Sequence, residues 1–166
     1  PKVVVKVGDE VKAGTTLLFD RDNEQVKFTA PVSGEIVEVK RGDKRKLLEI
    51  IILADSETAY EDFKSADPNA LGREEIVEKL TSAGLWPFIK QRPYDVIAKT
   101  TDTPKSIFIS AFESAPLAPD NDFILHGQNK TFQTGIDALA KLTEGKVHLT
   151  TNGAAKADDV FTQAKN

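Results

Sequence analysis

Three aromatic side chains are the groups in this sequence whose types and spacing most favour a binding site. The densest aromatic stretch is Leu85-Trp86-Pro87-Phe88-Ile89, and Tyr94 follows it closely. Trp86, Phe88 and Tyr94 would form an apolar wall for a flat ring, which a neighbouring polar group would orient. Packing of the same side chains in the protein core is the alternative, and we favour it.

One carboxylate, Glu113, occupies a position where ligands bind in many α/β proteins. It follows the apolar run 106–112, which predicts a buried parallel strand. Ligands of α/β sheets bind beyond the carboxyl ends of the strands. The alternative for Glu113 is a carboxylate that caps a turn, and the sequence leaves both open.

The remaining candidates for chemistry lack the patterns that chemistry needs. The chain has no cysteine, which excludes disulfides, thiolate metal sites and cysteine-ligated iron–sulfur clusters. His126 and His148 lack the spacing of metal ligands. Ser33, Ser110 and Ser114 lack the G-x-S-x-G setting of a nucleophile. We therefore predict no catalytic residue and no metal site.

Composition and charge narrow the class of partner. The chain has 166 residues, 40% of them hydrophobic and 29% charged, as in ordinary globular proteins. A net charge of −4 argues against nucleic acid as a partner. Residues 41–46 (Arg-Gly-Asp-Lys-Arg-Lys) form a local basic cluster. A solvated turn is the first interpretation, and a site facing a partner or an anionic headgroup is the alternative.

The sequence shows no run of eighteen apolar residues and no signal-peptide pattern, which makes the cytoplasm the default expectation. It contains no methionine and begins at Pro1, directly in a predicted strand. Residues 157–166 resemble an unfinished helix. We therefore expect an internal fragment of a longer protein.

The first third of the chain has the pattern of two similar β-halves. Gly8-Asp9 and Gly42-Asp43 each follow a valine-rich strand, and each glycine is expected to supply a positive φ. The turn at 31–34 separates two runs of alternating apolar residues. The run 50–54 predicts a buried strand. Two such halves would form a small flattened barrel or sandwich.

The rest of the chain alternates helix and strand signals. A helical spacing covers 73–83 and ends at Gly84, a typical position for glycine after a helix. The strand 106–112, the helix 131–142 and the strand 146–151 then predict a βαβ unit. The predicted fold is α+β and multidomain, with domains at 1–55 and 56–166.

The motifs of the first domain carry a resemblance. The segments VKVGDEVKAGTTLL and VKFTAPVSGEIVEV resemble biotinyl/lipoyl-type barrel-sandwich hybrid domains. Such domains present a modified lysine on a hairpin, eight positions before the proline of the A-P turn. That position is Asn23 here, and the nearby Lys27 alternates with apolar strand residues. The resemblance therefore implies an unmodified barrel that serves as a structural or docking module.

A second resemblance concerns the α/β part. The segment PKSIFISAFESAPLAPDNDF is similar to the flavin-binding domain of the NADH-oxidising subunit of respiratory complex I and of the Rnf complex. Those relatives have an acidic loop at the place of Glu113. Their glycine-rich loop cradles the flavin phosphate, but here one glycine, Gly84, remains and Trp86 occupies the crevice. The resemblance therefore implies a degenerate, truncated domain without FMN.

The two segments together resemble one family. KFTAPVSGEIVEVKRGDKRKL and GLWPFIKQRPYDVIA resemble the A-subunit family of Na⁺-translocating NADH:quinone oxidoreductases. This implies a peripheral subunit on the cytoplasmic face of the bacterial inner membrane, with the other subunits as partners and with membrane contact only through them. The complex uses NADH, flavins, iron–sulfur and quinone (ubiquinone or menaquinone), and we expect none of these cofactors on this chain.

The resemblance makes quinone a candidate ligand, and Trp86, Phe88 and Glu113 are the residues we assign to it. The part of the protein in this sequence is not expected to be catalytic by itself. The alternative hypothesis is a flavin- or nucleotide-binding oxidoreductase module that retains a cofactor in its α/β domain.

Overall fold

The computed structural model describes residues 1–165 and divides into two compact units. The first unit comprises residues 1–65 and 77–101, and the second comprises residues 66–76 and the chain from residue 102 onward. The division falls inside the helix α1 (Arg73–Ser82). The domain limits 1–55 and 56–166 inferred from the sequence stay a prediction.

Six strands form two antiparallel three-stranded sheets in the first unit. They are β1 (Lys2–Val3), β2 (Glu10–Val11), β3 (Thr16–Phe19), β4 (Lys27–Thr29), β5 (Gly34–Arg41) and β6 (Leu47–Ala54). One sheet has the order β1-β3-β4 and the other β2-β5-β6. The predicted turn at 31–34 connects β4 to β5, and its last residue, Gly34, is the first residue of β5.

Alternating side chains of these strands form the core of the first unit. Val11, Leu17, Ala30 and Ile36 are buried together, and Ile36 is fully inaccessible. Half-buried side chains of β5 and β6 pack around them. Because side chains of a strand point alternately to its two faces, one face of each sheet supplies this core.

The strand β6 corrects one expectation. The run 50–54 does lie in a strand, but Ile51 and Leu53 are exposed, Leu53 by 64%. The strand β6 lies at the edge of its sheet and only one of its faces meets the core. The continuous apolar run 50–54 is therefore buried on only one face of the strand β6.

The two Gly-Asp turns differ in their backbone, which corrects a second expectation. Gly8 has a φ of +90°, as predicted, and Lys6 donates its backbone N–H to the Asp9 carboxylate. Gly42 instead has a φ of −99°. The left-handed residues of the second turn are Lys44 and Arg45, with φ of 54° and 62°.

The segment after the barrel is tied back to it by hydrogen bonds. Ser33, which is buried, donates its hydroxyl to Asp55 at 2.7 Å and accepts the N–H of Ala59 at 2.9 Å. Ala13 pairs with the same segment, donating to Ala59 and accepting from Glu61. The barrel is thus completed by residues that follow its last strand.

Residues 77–101 also belong to the first unit. They include the C-terminal part of α1, a 3₁₀ turn (Trp86–Phe88) and a small hairpin of β7 (Lys90–Gln91) and β8 (Val96–Ile97). Thr100 donates its hydroxyl to Gln25 at 2.9 Å, and Lys79 donates to the Lys64 carbonyl. These bonds connect the segment to the barrel and its connector.

The second unit is built on two parallel strands, β9 (Ile107–Ser110) and β10 (Val147–Thr150). Its helices are α2 (Asn121–Leu125), α3 (Asn129–Ala140) and α4 (Asp159–Thr162). Ala111, Val160 and Phe161 are buried together, and Phe132 meets Phe161 edge to ring. The predicted order of strand, helix and parallel strand is confirmed.

One face of this small sheet is exposed, contrary to the prediction of a buried strand. Phe108 is 73% exposed and stacks on His148 with 4.8 Å between ring centres. Ser110 and Thr150 share that face. Among residues 1–165 the longest helix is α3 with 12 residues, and none is long and apolar enough to cross a bilayer.

Candidate functional site

Trp86, the first candidate, is a core residue of the first unit. Its side chain is 2% exposed, and Nε1 donates a hydrogen bond to the Ala98 carbonyl at 2.7 Å. That bond joins the 3₁₀ turn to the end of the β7–β8 hairpin. The indole therefore supports the hairpin and presents no free face to a ligand.

Phe88, two residues later on the same turn, points outward. Its side chain is 80% exposed, and that of Tyr94, at the tip of the β7–β8 hairpin, is 84% exposed. Trp86 and Phe88 therefore do not form one wall. Phe88 is the predicted aromatic residue that offers an accessible ring.

Glu113 lies in the second unit, directly after β9, and its side chain is exposed. Its Oε1 accepts the backbone N–H groups of Ser114 and Ala115, at 2.8 and 3.1 Å. This arrangement is a capped turn, one of the two alternatives that the sequence left open. Within this exposed loop the carboxylate keeps its second oxygen for other donors.

The loop that would cradle a flavin phosphate is used in another way. Gly84 has a φ of +70° and ends α1 with the two reverse hydrogen bonds of a Schellman motif, Gly84 to Thr81 and Leu85 to Leu80. A Cβ at Gly84 would lie 2.6 Å from Oγ1 of Thr29. The glycine backbone thus packs against the barrel, and this loop does not fit a phosphate group.

The barrel hairpin carries an asparagine at the position where the resembling domains have the modified lysine. Asn23 lies in the turn between β3 and β4, where its carbonyl accepts the N–H of Val26 at 2.9 Å. Lys27 is half-buried on β4 and pairs with Phe19 of β3. Asn23 lies on the hairpin turn and Lys27 in a strand, as predicted, but Lys27 is half-buried and not fully solvent-facing.

A cleft of about 520 Å³ lies in the second unit, between residues 103–106 and 144–148. Lys105, Lys146, Glu144 and His148 line it. The three predicted site residues, Trp86, Phe88 and Glu113, do not line this cleft. Among residues 1–165, no cluster of three or more histidine, cysteine or acidic side chains is arranged to hold a metal ion.

The sequence analysis missed one side-chain pair, His126 with Asp158. Nδ1 of His126 lies 2.7 Å from Oδ2 of Asp158. The other carboxylate oxygen of Asp158, Oδ1, caps α4 by accepting the N–H of Val160. The hydrogen bond with Asp158 raises the pKa of His126 above its ordinary value. The N–H of Val160, and next the bond with His126, lowers the pKa of Asp158. The partners lie 32 positions apart in the sequence, so the pair leaves no local signal there.

This pair predicts a pH dependence of stability. Because the pKa of His126 is raised in the folded protein, its protonation stabilises the fold. This stabilisation is fully present below about pH 6.5, the pKa of an unperturbed histidine, and is lost as the pH rises through the raised pKa. The pKa of Asp158 is lowered in the folded protein, so the stability that its carboxylate provides is lost only as the pH falls through that lowered pKa. We expect His126→Gln to lower the melting temperature more at about pH 5.5 than at about pH 8.

Thermal melts of the two proteins at both pH values measure this difference. His148→Gln is the matched control, because His148 stacks on Phe108 and has no carboxylate partner in the part of the chain that is described. An effect of His126→Gln that is equal at both pH values would refute the charged pair.

Two family models match consecutive parts of the chain. The family model described as the NqrA N-terminal barrel-sandwich hybrid domain matches residues 1–55. The model described as the NqrA second alpha/beta domain matches residues 71–165. The predicted barrel-sandwich hybrid and α/β parts are thereby confirmed.

Curated relatives agree with the family models. The chain is 37% identical over 157 residues to the A-subunit of the Na⁺-translocating NADH-quinone reductase of Vibrio alginolyticus, covering 93% of this chain and 35% of that protein. It is 34% identical over 158 residues to the protein of the same name from Marinomonas sp., covering 94% and 36%. The chain thus spans about a third of the length of these relatives, and it belongs to the NqrA family.

Proposed function

We propose that this chain is part of the NqrA component of a Na⁺-translocating NADH:quinone reductase, in which it supplies docking surface for other subunits. The observation that carries the proposal is the consecutive match of two NqrA domains, over residues 1–55 and 71–165. The relatives named above bear that activity in their names. The reductase activity would belong to the assembled complex, and this part alone would not be catalytic.

The proposal includes a location and a set of cofactors. The subunit would lie on the cytoplasmic face of the bacterial inner membrane, held there by its partner subunits. It would bind neither flavin, iron–sulfur cluster nor NADH itself. The packing of Gly84 against Thr29 and the absence of cysteine from the sequence support this. The parallel β9–α3–β10 arrangement supports descent of the second part from a flavin-domain fold.

Assembly tests the subunit role. The full-length protein, expressed in place of NqrA in a relative's complex, is expected to co-purify with the other subunits and to restore Na⁺-stimulated quinone reduction. Failure to co-purify, with the protein folded, would refute the role. A yellow purified protein, or tight binding of FMN or NADH, would instead favour the alternative of a flavin- or nucleotide-binding module.

Quinone contact is the finer part of the proposal, and it is best placed at Phe88. Its exposed ring can stack on a flat apolar ligand, whereas Trp86 is buried and bonded to Ala98. Glu113 has an exposed carboxylate in the other unit and is tested separately, by Glu113→Gln. The two positions are independent candidates.

We expect Phe88→Ala to raise the KM for a short-chain quinone about fivefold in the assembled complex, because a stacking contact is worth about 1 kcal/mol. Steady-state kinetics of quinone reduction measure it. Phe123→Ala is the matched control, since Phe123 is 81% exposed and is not a candidate. Equal KM values for the two variants would refute a quinone contact at Phe88 but would not contradict the role as a subunit of the complex.

A further inference from the structure

The tip of the β5–β6 hairpin concentrates positive charge in a chain that is negative overall. Residues 40–46 contain five basic side chains and one acidic one, whereas the whole chain has a net charge of −4. All five are exposed: Lys40, Arg41, Lys44, Arg45 and Lys46. Two eight-residue strands carry this tip. We call residues 40–46 the basic tip.

Three of these cations have no partner within the described chain. Lys40 lies 3.5 Å from Glu49, and Arg41 donates to the Arg45 carbonyl at 3.2 Å. No hydrogen bond or ion pair among residues 1–165 engages the side chains of Lys44, Arg45 or Lys46. Neighbouring like charges repel each other, so folding alone gives no reason to gather them here.

The backbone of the basic tip is strained at the same residues. Lys44 and Arg45 are consecutive and both left-handed, with φ of 54° and 62°. Residues with a Cβ rarely adopt that conformation, and glycine or asparagine would relieve it. Strain of this kind persists where it holds side chains in a useful arrangement. In the basic tip, the left-handed backbone places the side chains of Lys44 and Arg45 next to each other in solvent on a short turn.

An apolar side chain accompanies the cations. Leu48 is 52% exposed and packs beside Gly42, where a Cβ would lie 3.1 Å from its Cδ1. The cations have no fixed partners, and one accessible leucine lies beside them. This combination favours binding to an extended anionic surface over binding to a shaped pocket of a folded protein. A bilayer with anionic headgroups has this character.

We infer that the basic tip docks on anionic phospholipid, so that this chain contacts the membrane surface directly. The inference goes beyond the proposed function, in which partner subunits make the membrane contact. It does not require the reductase role, because the contact depends on charge and exposure within the first unit alone.

Co-sedimentation of the full-length protein with vesicles tests the inference. We expect binding to vesicles that contain phosphatidylglycerol, no binding to pure phosphatidylcholine, and loss of binding as salt screens the charges. The variant K44Q/R45Q/K46Q is expected to bind on the order of a hundredfold more weakly, from three cations near an anionic surface. Its circular dichroism spectrum should be unchanged, since the three side chains make no bonds within the fold.

The variant K6Q/K12Q/R21Q is the matched control, because it removes two lysines and one arginine that are exposed elsewhere in the first unit. It should bind within a few-fold of the unmodified protein. Equal weakening by both variants would overturn the inference, because net charge would then explain the binding. Absence of binding to phosphatidylglycerol vesicles would also overturn the inference. Failure of K44Q/R45Q/K46Q to assemble with other subunits would then assign the tip to an acidic protein surface.

Discussion

Replacement of Gly34 by alanine is expected to destabilise the barrel by about 3 to 5 kcal/mol, from backbone strain together with a steric clash. Gly34 has a φ of +146°, and a Cβ there would lie 2.0 Å from the carbonyl oxygen of Leu53. It begins β5, the central strand of its sheet, and pairs with both Val11 and Ala54. The neighbouring strands therefore cannot move aside without breaking their own pairing. Such a loss is comparable with the whole stability of many domains.

Urea unfolding of the full-length protein, followed by circular dichroism, measures the effect. Gly135→Ala is the control, since Gly135 lies exposed within α3 and nothing is within 4 Å of an added Cβ. Alanine favours the helix, so this change should stabilise the protein by about 0.5 to 1 kcal/mol. A Gly34→Ala protein as stable as the unmodified one would contradict the close approach of β5 to β6.

Trp86→Ala is expected to cost about 3 to 5 kcal/mol, the range for removing a buried large aromatic side chain. The indole is 2% exposed, so its removal opens a cavity between the 3₁₀ turn and the segment around Ala98. Trp86→Phe should cost less, about 1 to 3 kcal/mol, because it leaves the Ala98 carbonyl without its donor but retains most of the apolar area.

The same unfolding experiment measures both Trp86 variants. Phe88→Ala is the control on the same turn and should change stability by less than about 0.5 kcal/mol, because its ring is exposed. Equal stability of Trp86→Ala and the unmodified protein would refute the structural role of the indole. Loss of quinone reduction in Trp86→Ala is not by itself a sign of a quinone site, because the fold would change with it.

The elements of this fold were largely predictable because their signals are local. The Schellman end of α1 at Gly84 was predicted from the position of one glycine, and the strand β9 from an apolar run. The turn at 31–34 followed from proline and glycine between alternating residues. Each of these features depends on residues that are close in the sequence.

Burial was less predictable, because it depends on what lies across each face. Leu53 and Phe108 sit in continuous apolar runs and are nonetheless exposed. Of the candidate site residues, Trp86 and Phe88 differ by two positions yet point to opposite environments, which only the shape of a 3₁₀ turn decides. Neither composition nor hydrophobic periodicity indicates the His126–Asp158 pair. The same is true of the left-handed backbone of Lys44 and Arg45.

The hydrogen bonds of Ser33 and Ala13 to the segment 55–61 have a consequence for the order of folding during synthesis. The barrel cannot satisfy these buried groups until residue 61 has left the ribosome, although its last strand ends at Ala54. Nascent chains shorter than this would hold two nearly complete sheets with an open seam. Until residues 55–61 emerge, that seam stays open to chaperones and to other nascent chains.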